Sequence, residues 1–186
     1  MKEHDDDSGG DKRQSLKLRP MEIDDLPEVF HLGEELFKAE AVPSMYRTWD
    51  SYEVVGLFHS DTEFCLVAEI DDSIVGFALG TTIEKRHSAW KYGYLIWLGV
   101  SPQVQRKGVA EKLVRKFKDI LLKHGVRMII VDTPAENLPA LRFFRKFGFG
   151  QPRQHIYLSL NLAAEHQRLK QRENGEPPRR TTKTNG

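Results

Sequence analysis

In Gly99-Val-Ser-Pro-Gln-Val-Gln-Arg-Lys-Gly-Val-Ala-Glu-Lys-Leu113 an apolar run gives way to a basic, glycine-containing turn and then to a helical pattern. Upstream, Tyr94-Leu95-Ile96-Trp97-Leu98 reads as a buried strand. Downstream, Leu113, Val114, Phe117, Ile120 and Leu121 recur at helical spacing, with Lys112, Arg115, Lys116, Lys118 and Asp119 outside that stripe. The turn therefore opens a helix. A helix N-terminus presents unpaired N–H groups and the positive end of the macrodipole, and Gly108 and Ala110 let an anion approach the backbone closely. The segment has the form of a phosphate cradle or of an ordinary strand-to-helix connection with a solvated basic face, and a second feature is needed to choose.

Composition narrows the rest. The 186 residues fit one domain with appendages, and the net charge of +1 gives no global argument for nucleic acid. Cys65 is the single cysteine, so no internal disulfide can form; a reducing compartment suits it, and a core position is expected. No stretch approaches the roughly 18 apolar residues that span a bilayer. The expectation is a soluble, cytoplasmic protein without membrane or nucleic-acid partners.

Residues 1–15 are acidic, polar and glycine-containing, and residues 163–186 carry Gln, Arg, Lys, Pro and Thr with few large apolar side chains. Neither end can bury enough surface to offset ordering entropy, so both are expected to be disordered, flanking a folded domain over 16–162. Leu16 to Pro20 reads as a first strand, with a helix opening near Asp24 or Asp25 and a shorter one after Asp50. Phe64–Ile70 and Ile74–Thr82 read as a hairpin around Asp71-Asp-Ser73, and Gly93–Val100 continues the sheet. After the helix ending at Gly125, the apolar Val126–Val131 has the composition of a central strand. Asn137 caps a further helix that Gly148 ends, and His155–Leu162 alternates as a last strand. The order β-α-α-β-β-β-α-β-α-β describes a three-layer α/β sandwich, not a doubly wound sheet.

The second feature is Asn137-Leu-Pro-Ala140-Leu-Arg-Phe143-Phe144-Arg-Lys-Phe-Gly148-Phe149, one strand and one turn downstream of the basic turn. Together the two motifs resemble the GNAT superfamily of acyl-CoA-dependent N-acetyltransferases. That family pairs a Gln/Arg-x-x-Gly-x-Gly/Ala turn with a later Asn-x-x-Ala-x-x-Phe-Tyr and a Gly-Phe. The resemblance covers about Leu16 to Leu162 and implies a three-layer α/β/α fold with a mixed, centrally splayed sheet.

It also implies a site. The pyrophosphate turn falls on Gln105, Arg106, Lys107, Gly108, Val109 and Ala110. Main-chain groups of a strand that splays from its neighbour at a bulge, which hold the pantetheine arm and polarise the thioester, match Leu98, Gly99 and Val100, where Gly99 suits a bulge or close approach, and the asparagine on that arm matches Asn137. The implied reaction is direct attack of a primary amine on acetyl-CoA, with no metal. The acceptor would be a protein N-terminus, a lysine or a small amine. Dimers are frequent in the family, so a homodimer is one expected arrangement.

The chain departs from the pattern at Phe144, where many members carry the tyrosine that protonates the departing thiolate. A general acid is worth about 10²- to 10⁴-fold. Tyr94 or Tyr157 could supply the missing hydroxyl. Candidate bases are Glu34, Glu35, Glu69, Glu84, His87 and Asp132, or a water chain. Tyr94 and Glu69 are the pair carried forward. The other reading that Phe144 leaves open is an acyl-CoA-binding sensor or interaction module that does not turn over. Met45, Tyr46 and Trp49 beside Arg47 either wall an acceptor pocket or pack the helix connection.

Overall fold

A computed structural model of the chain describes residues 15–37, 48–84, 90–153, 156 and 160–173. The chain falls into two units, Met1–Leu141 and Arg142–Gly186.

The first unit is built on a five-stranded sheet of β1 (Lys17–Pro20), β2 (Cys65–Ile70), β3 (Ser73–Glu84), β4 (Lys91–Val100) and β5 (Met128–Val131), in that spatial order. The first four strands pair antiparallel, while β5 joins β4 in parallel, which makes the sheet mixed as expected. Cys65, Leu66, Val67 and Ala68 of β2 are fully buried, in keeping with a near-continuous apolar strand covered on both faces. Asp71 and Asp72 join β2 to β3 with φ of 50° and 60°. Two consecutive left-handed residues are what a tight hairpin turn demands, and aspartate accepts that conformation better than most residues.

Helices cover both faces. On one, α1 (Leu26–Leu36) and α2 (Ser51–Asp61) bring Val29, Leu32 and Val54 into a core with Trp49, Phe77, Leu79 and Trp97. The Asp50 side chain starts α2 by accepting a hydrogen bond from the Glu53 N–H at 2.8 Å. On the other face lies α3 (Val109–Lys123), whose Leu113, Val114, Phe117 and Leu121 are buried. Glycines admit it to the sheet: a Cβ on Gly80 would stand 2.4 Å from Phe117 Cζ, and one on Gly93 would stand 2.4 Å from Leu121 Cδ1. Burying a leucine or phenylalanine side chain contributes about 1.5–3 kcal/mol, so the small strand residues beneath α3 favour the sandwich by letting these side chains seat fully.

The helix α4 (Leu138–Lys146) begins in the first unit and ends in the second. Its C-terminus is closed by Gly148 at φ 86°, with the Gly148 N–H donating to Arg145 O at 3.0 Å and the Phe149 N–H donating to Phe144 O at 3.2 Å. This is the Schellman arrangement, completed by ring packing between Phe144 and Phe149 at 5.3 Å.

Two expectations are corrected. The apolar run at Val126–Val131 forms β5, but among the described residues β5 is the edge strand, with Met128 and Ile130 exposed at 47% and 40%. Residues 162–173, read as the end of a strand and the start of an irregular tail, form α5 (Leu162–Glu173). The tail lacks an apolar stripe, but Ala, Glu, Gln, Arg, Leu and Lys are strong helix formers, and Asn161 accepts a hydrogen bond from the Ala164 N–H at 3.0 Å. Of the strand expected at 155–162, residues 155 and 157–159 lie outside the described residues, as do residues 1–14.

Candidate active site

β5 ends where β4 does not. The last β4–β5 pair is Leu95 with Val131, and β4 runs on through Leu98, Gly99 and Val100 with, among the described residues, only β3 beside it. At the same place the β3–β4 register slips: Gly80 faces Leu95 and Leu79 faces Trp97, so Ile96 is the extra residue of a β-bulge. A bulge bends a strand and reverses the alternation of its faces. Gly93, before it, lies under α3, whereas Gly99, after it, lies under α1, since a Cβ there would stand 2.6 Å from Phe77 Cζ and 2.9 Å from Leu36 Cδ1. The bulge therefore leaves a strip of β4 main chain beyond β5 that a ligand can pair with.

That strip leads directly into the basic turn. The Ser101 N–H is held by Val75 O at 2.8 Å, and the Gln105 side chain donates to Val100 O at 3.5 Å. Arg106 has φ 65° and Gly108 φ 79°, so two left-handed residues flank Lys107. A non-glycine residue in that region costs about 1–2 kcal/mol, and such strain persists where the surroundings impose it. Gly108 is also the N-cap of α3 and has no side chain with which to close the helix end; a Cβ built on it would meet nothing within 4 Å. Curled backbone N–H groups at a helix N-terminus beside two cations form a concavity suited to a diphosphate, so these residues fit the expected cofactor. Asn137 caps α4, its Oδ1 accepting from the Ala140 N–H at 3.2 Å.

The two residues carried forward for proton transfer do not come together. Tyr94 lies opposite Ile130 where β4 and β5 still pair, and its hydroxyl donates to Asp132 Oδ1 at 2.6 Å. Glu69 is on β2, with β3 between it and β4. Glu69 pairs with Ile74, seven residues along β3 from the Thr81 that faces Tyr94, a separation of about 23 Å at ~3.3 Å per residue. Its carboxylate accepts from Arg19 Nε at 2.7 Å and Lys17 Nζ at 3.4 Å. The Arg19 hydrogen bond holds that carboxyl below the usual carboxylate range. Glu69 is thus an ion-pair anchor of the sheet, poorly suited to taking a proton.

The remaining candidates sort by their partners. Glu34 meets His31 Nδ1 at 3.0 Å, and Glu84 meets Lys91 at 3.1 Å. Asp132 receives the Tyr94 hydroxyl. Trp49 is buried core, its indole donating to Phe30 O at 3.0 Å and its ring 5.1 Å from Trp97, which decides for packing at that residue. Tyr157, His87, Met45, Tyr46 and Arg47 lie outside the described residues. Within the second unit the Phe144 ring packs edge-on against Phe143 and Phe149, both at 5.3 Å. Burial pushes the Cys65 thiol up to about 12, so it stays protonated and inert, as a core cysteine should. Sequence reasoning set the bulge at Leu98–Val100 rather than at Ile96 and missed the meeting of Tyr94 with Asp132, because both depend on strand register.

Comparison with known proteins identifies the family and the fold. The sequence profile of the Acetyltransferase (GNAT) family matches residues 26–149. The chain is 26% identical over 91 residues to N-alpha-acetyltransferase 30 of Schizosaccharomyces pombe, covering 49% of this chain and 60% of that protein. It therefore spans less than two thirds of that relative's length. Among solved structures, an aminoglycoside N-acetyltransferase, AAC(6')-Iy, in complex with CoA superposes with TM-score 0.63 at 19% identity, over 79% of this chain and 95% of that one. The NatC complex bound to Gag peptide and CoA gives TM-score 0.64 at 21% identity, over 77% and 91%. At such identities the structural likeness speaks for the fold.

Proposed function

The chain belongs to the GNAT acetyltransferase family, and from that premise we propose that it transfers an acetyl group from acetyl-CoA to a primary amine by direct attack. The observation that carries this reading is the continuity of open β4 main chain beyond Leu95 with a turn in which Arg106 and Gly108 both adopt positive φ at the head of α3. Acetyl-CoA supplies the activated thioester. The N–H groups of Gly108, Val109 and Ala110, with the charges of Arg106 and Lys107, hold its diphosphate. Asn137 contacts the pantetheine arm. The main chain of Leu98, Gly99 and Val100 orients that arm and stabilises the oxyanion formed on attack. The transferase domain spans 16–162, and a cytoplasmic location suits the single thiol.

Acceptor classes among the matches are aminoglycosides in one case and a peptide in another, both primary amines or carriers of them. Calorimetry with acetyl-CoA tests the donor site: saturable binding is expected, and none at millimolar ligand excludes it. Gly108→Val places a β-branched residue in a left-handed conformation, and should weaken acetyl-CoA binding about tenfold or more.

The second reading, an acyl-CoA-binding module without turnover, is favoured by Phe144 and by the lack of a carboxylate in Tyr94–Val100. Release of free CoA thiol over a panel of peptides and small amines separates the two. Binding with no amine-dependent release anywhere selects the module.

A further inference from the structure

Phe144 has no proton to give, and Glu69 is occupied by Arg19 and Lys17. A different pair stands at the vertex where β4 and β5 part. Tyr94 lies opposite Ile130, Asp132 directly follows the last paired residue Val131, and the phenol donates to the carboxylate across the vertex at 2.6 Å. A hydroxyl whose proton is committed to a carboxylate can offer only lone pairs to a third group. That third group must be a donor, as an ammonium is. Alternation places Tyr92 on the same face of β4 as Tyr94, and Trp90 stacks on Tyr92 with ring centroids 6.5 Å apart.

We propose that Tyr94 and Asp132 form a proton relay that accepts the acceptor as its ammonium and converts it to the attacking amine, a step that rests on the acetyl-transfer reading above. The ammonium N–H gives its proton to Tyr94 Oη as the Tyr94 proton passes to Asp132, leaving a neutral amine and a protonated carboxyl. The nitrogen lone pair then forms the C–N bond to the thioester carbon, and the C–S bond breaks with its electron pair going to sulfur. The thiolate recovers the proton from Asp132 through Tyr94, and the second proton lost by the nitrogen goes to solvent. The products are amide, free thiol and one released proton. Tyr94 is the catalytic residue, and Asp132, acting through it, is the positioning residue.

The relay predicts a pH signature. With it, kcat/KM for an ammonium acceptor stays level below the acceptor's own pKa; without it only the neutral amine reacts, and the rate falls tenfold for each pH unit below that pKa. Thiol release should therefore show Asp132→Asn and Tyr94→Phe losing about 10²- to 10⁴-fold at pH 7. The loss should shrink as pH rises toward the acceptor's pKa, and Asp132→Glu should restore part of the activity.

Acetyl-CoA affinity by calorimetry should be unchanged in all three variants. Independently of turnover, ¹³C-tyrosine NMR of the unliganded protein should show the Tyr94 Cζ resonance displaced in Asp132→Asn relative to wild type, because the phenol loses its carboxylate acceptor. A loss of equal size at every pH, or no loss, overturns the relay while leaving acetyl transfer standing. A wild-type protein that binds acetyl-CoA and turns over no amine overturns both, and an unchanged Tyr94 resonance in Asp132→Asn overturns the pairing itself.

Discussion

Gly33 in the middle of α1 has no Cβ because the Trp49 indole occupies that space: a methyl group there would stand 2.0 Å from Trp49 Cε2 and 2.1 Å from Cζ2. The indole is held by its hydrogen bond to Phe30 O and by aromatic contacts with Phe37, Phe77 and Trp97, so it cannot step aside. Overpacking of a fixed core costs about 1–3 kcal/mol, and Gly33→Ala should lose that much in urea unfolding. Gly56 in α2 supplies the contrast, since a Cβ there meets nothing within 4 Å. Gly56→Ala should gain about 0.5–1 kcal/mol, because only helix propensity changes. Equal effects at the two positions would contradict the packing described. The sequence marks both residues simply as glycines inside helical patterns; which one has an indole against it is settled only by a contact with Trp49, distant in sequence.

At the level of elements, what repeats locally was readable and what depends on pairing was not. The caps at Asp50 and Asn137, the Gly148 stop and the Asp71–Asp72 turn are short-range and stand where the sequence points. The basic turn and the Asn137 motif were legible as a pair, whereas the Ile96 bulge has no local mark in Tyr-Leu-Ile-Trp-Leu: it is a slip of β4 against β3, visible only from the facing strand. The helix α5 was missed for a different reason. Its composition was weighed for what it could bury, while its helicity arises from propensity and from the Asn161 cap. Asn161→Ala should therefore speed amide exchange in the first turn of α5, about fivefold for the ~1 kcal/mol a cap supplies, and leave the amides of α3 unaffected.

At the scale of the first unit, Arg19 joins three elements through charge. Its guanidinium donates to Asp25 Oδ2 and Oδ1 at 2.6 and 2.8 Å and to Glu69 Oε2 at 2.7 Å, tying β1 to β2 and to the entry of α1. Asp25 also accepts from the Glu22 N–H at 2.7 Å, and the two carboxylate side chains are only 10% and 11% exposed. No sequence pattern joins residues 19, 25 and 69, because the pairing of Arg19 with Val67 sets their meeting. Both carboxyls are held below their usual range, chiefly by the Arg19 hydrogen bonds. A carboxyl whose folded-state pKa is depressed contributes stability above its unfolded value, near 4, and loses that contribution as pH falls through the folded value. The wild-type protein should thus lose stability steeply on acidification below about pH 4. Arg19→Gln returns both carboxyls toward the ordinary range, so the variant should be less stable at pH 7 and show a shallower acid slope. Urea midpoints measured from pH 7 down to pH 3 should start apart and converge, since protonated carboxyls no longer distinguish the two side chains. Parallel curves over that range would show that Arg19 acts through its packing rather than through its charge.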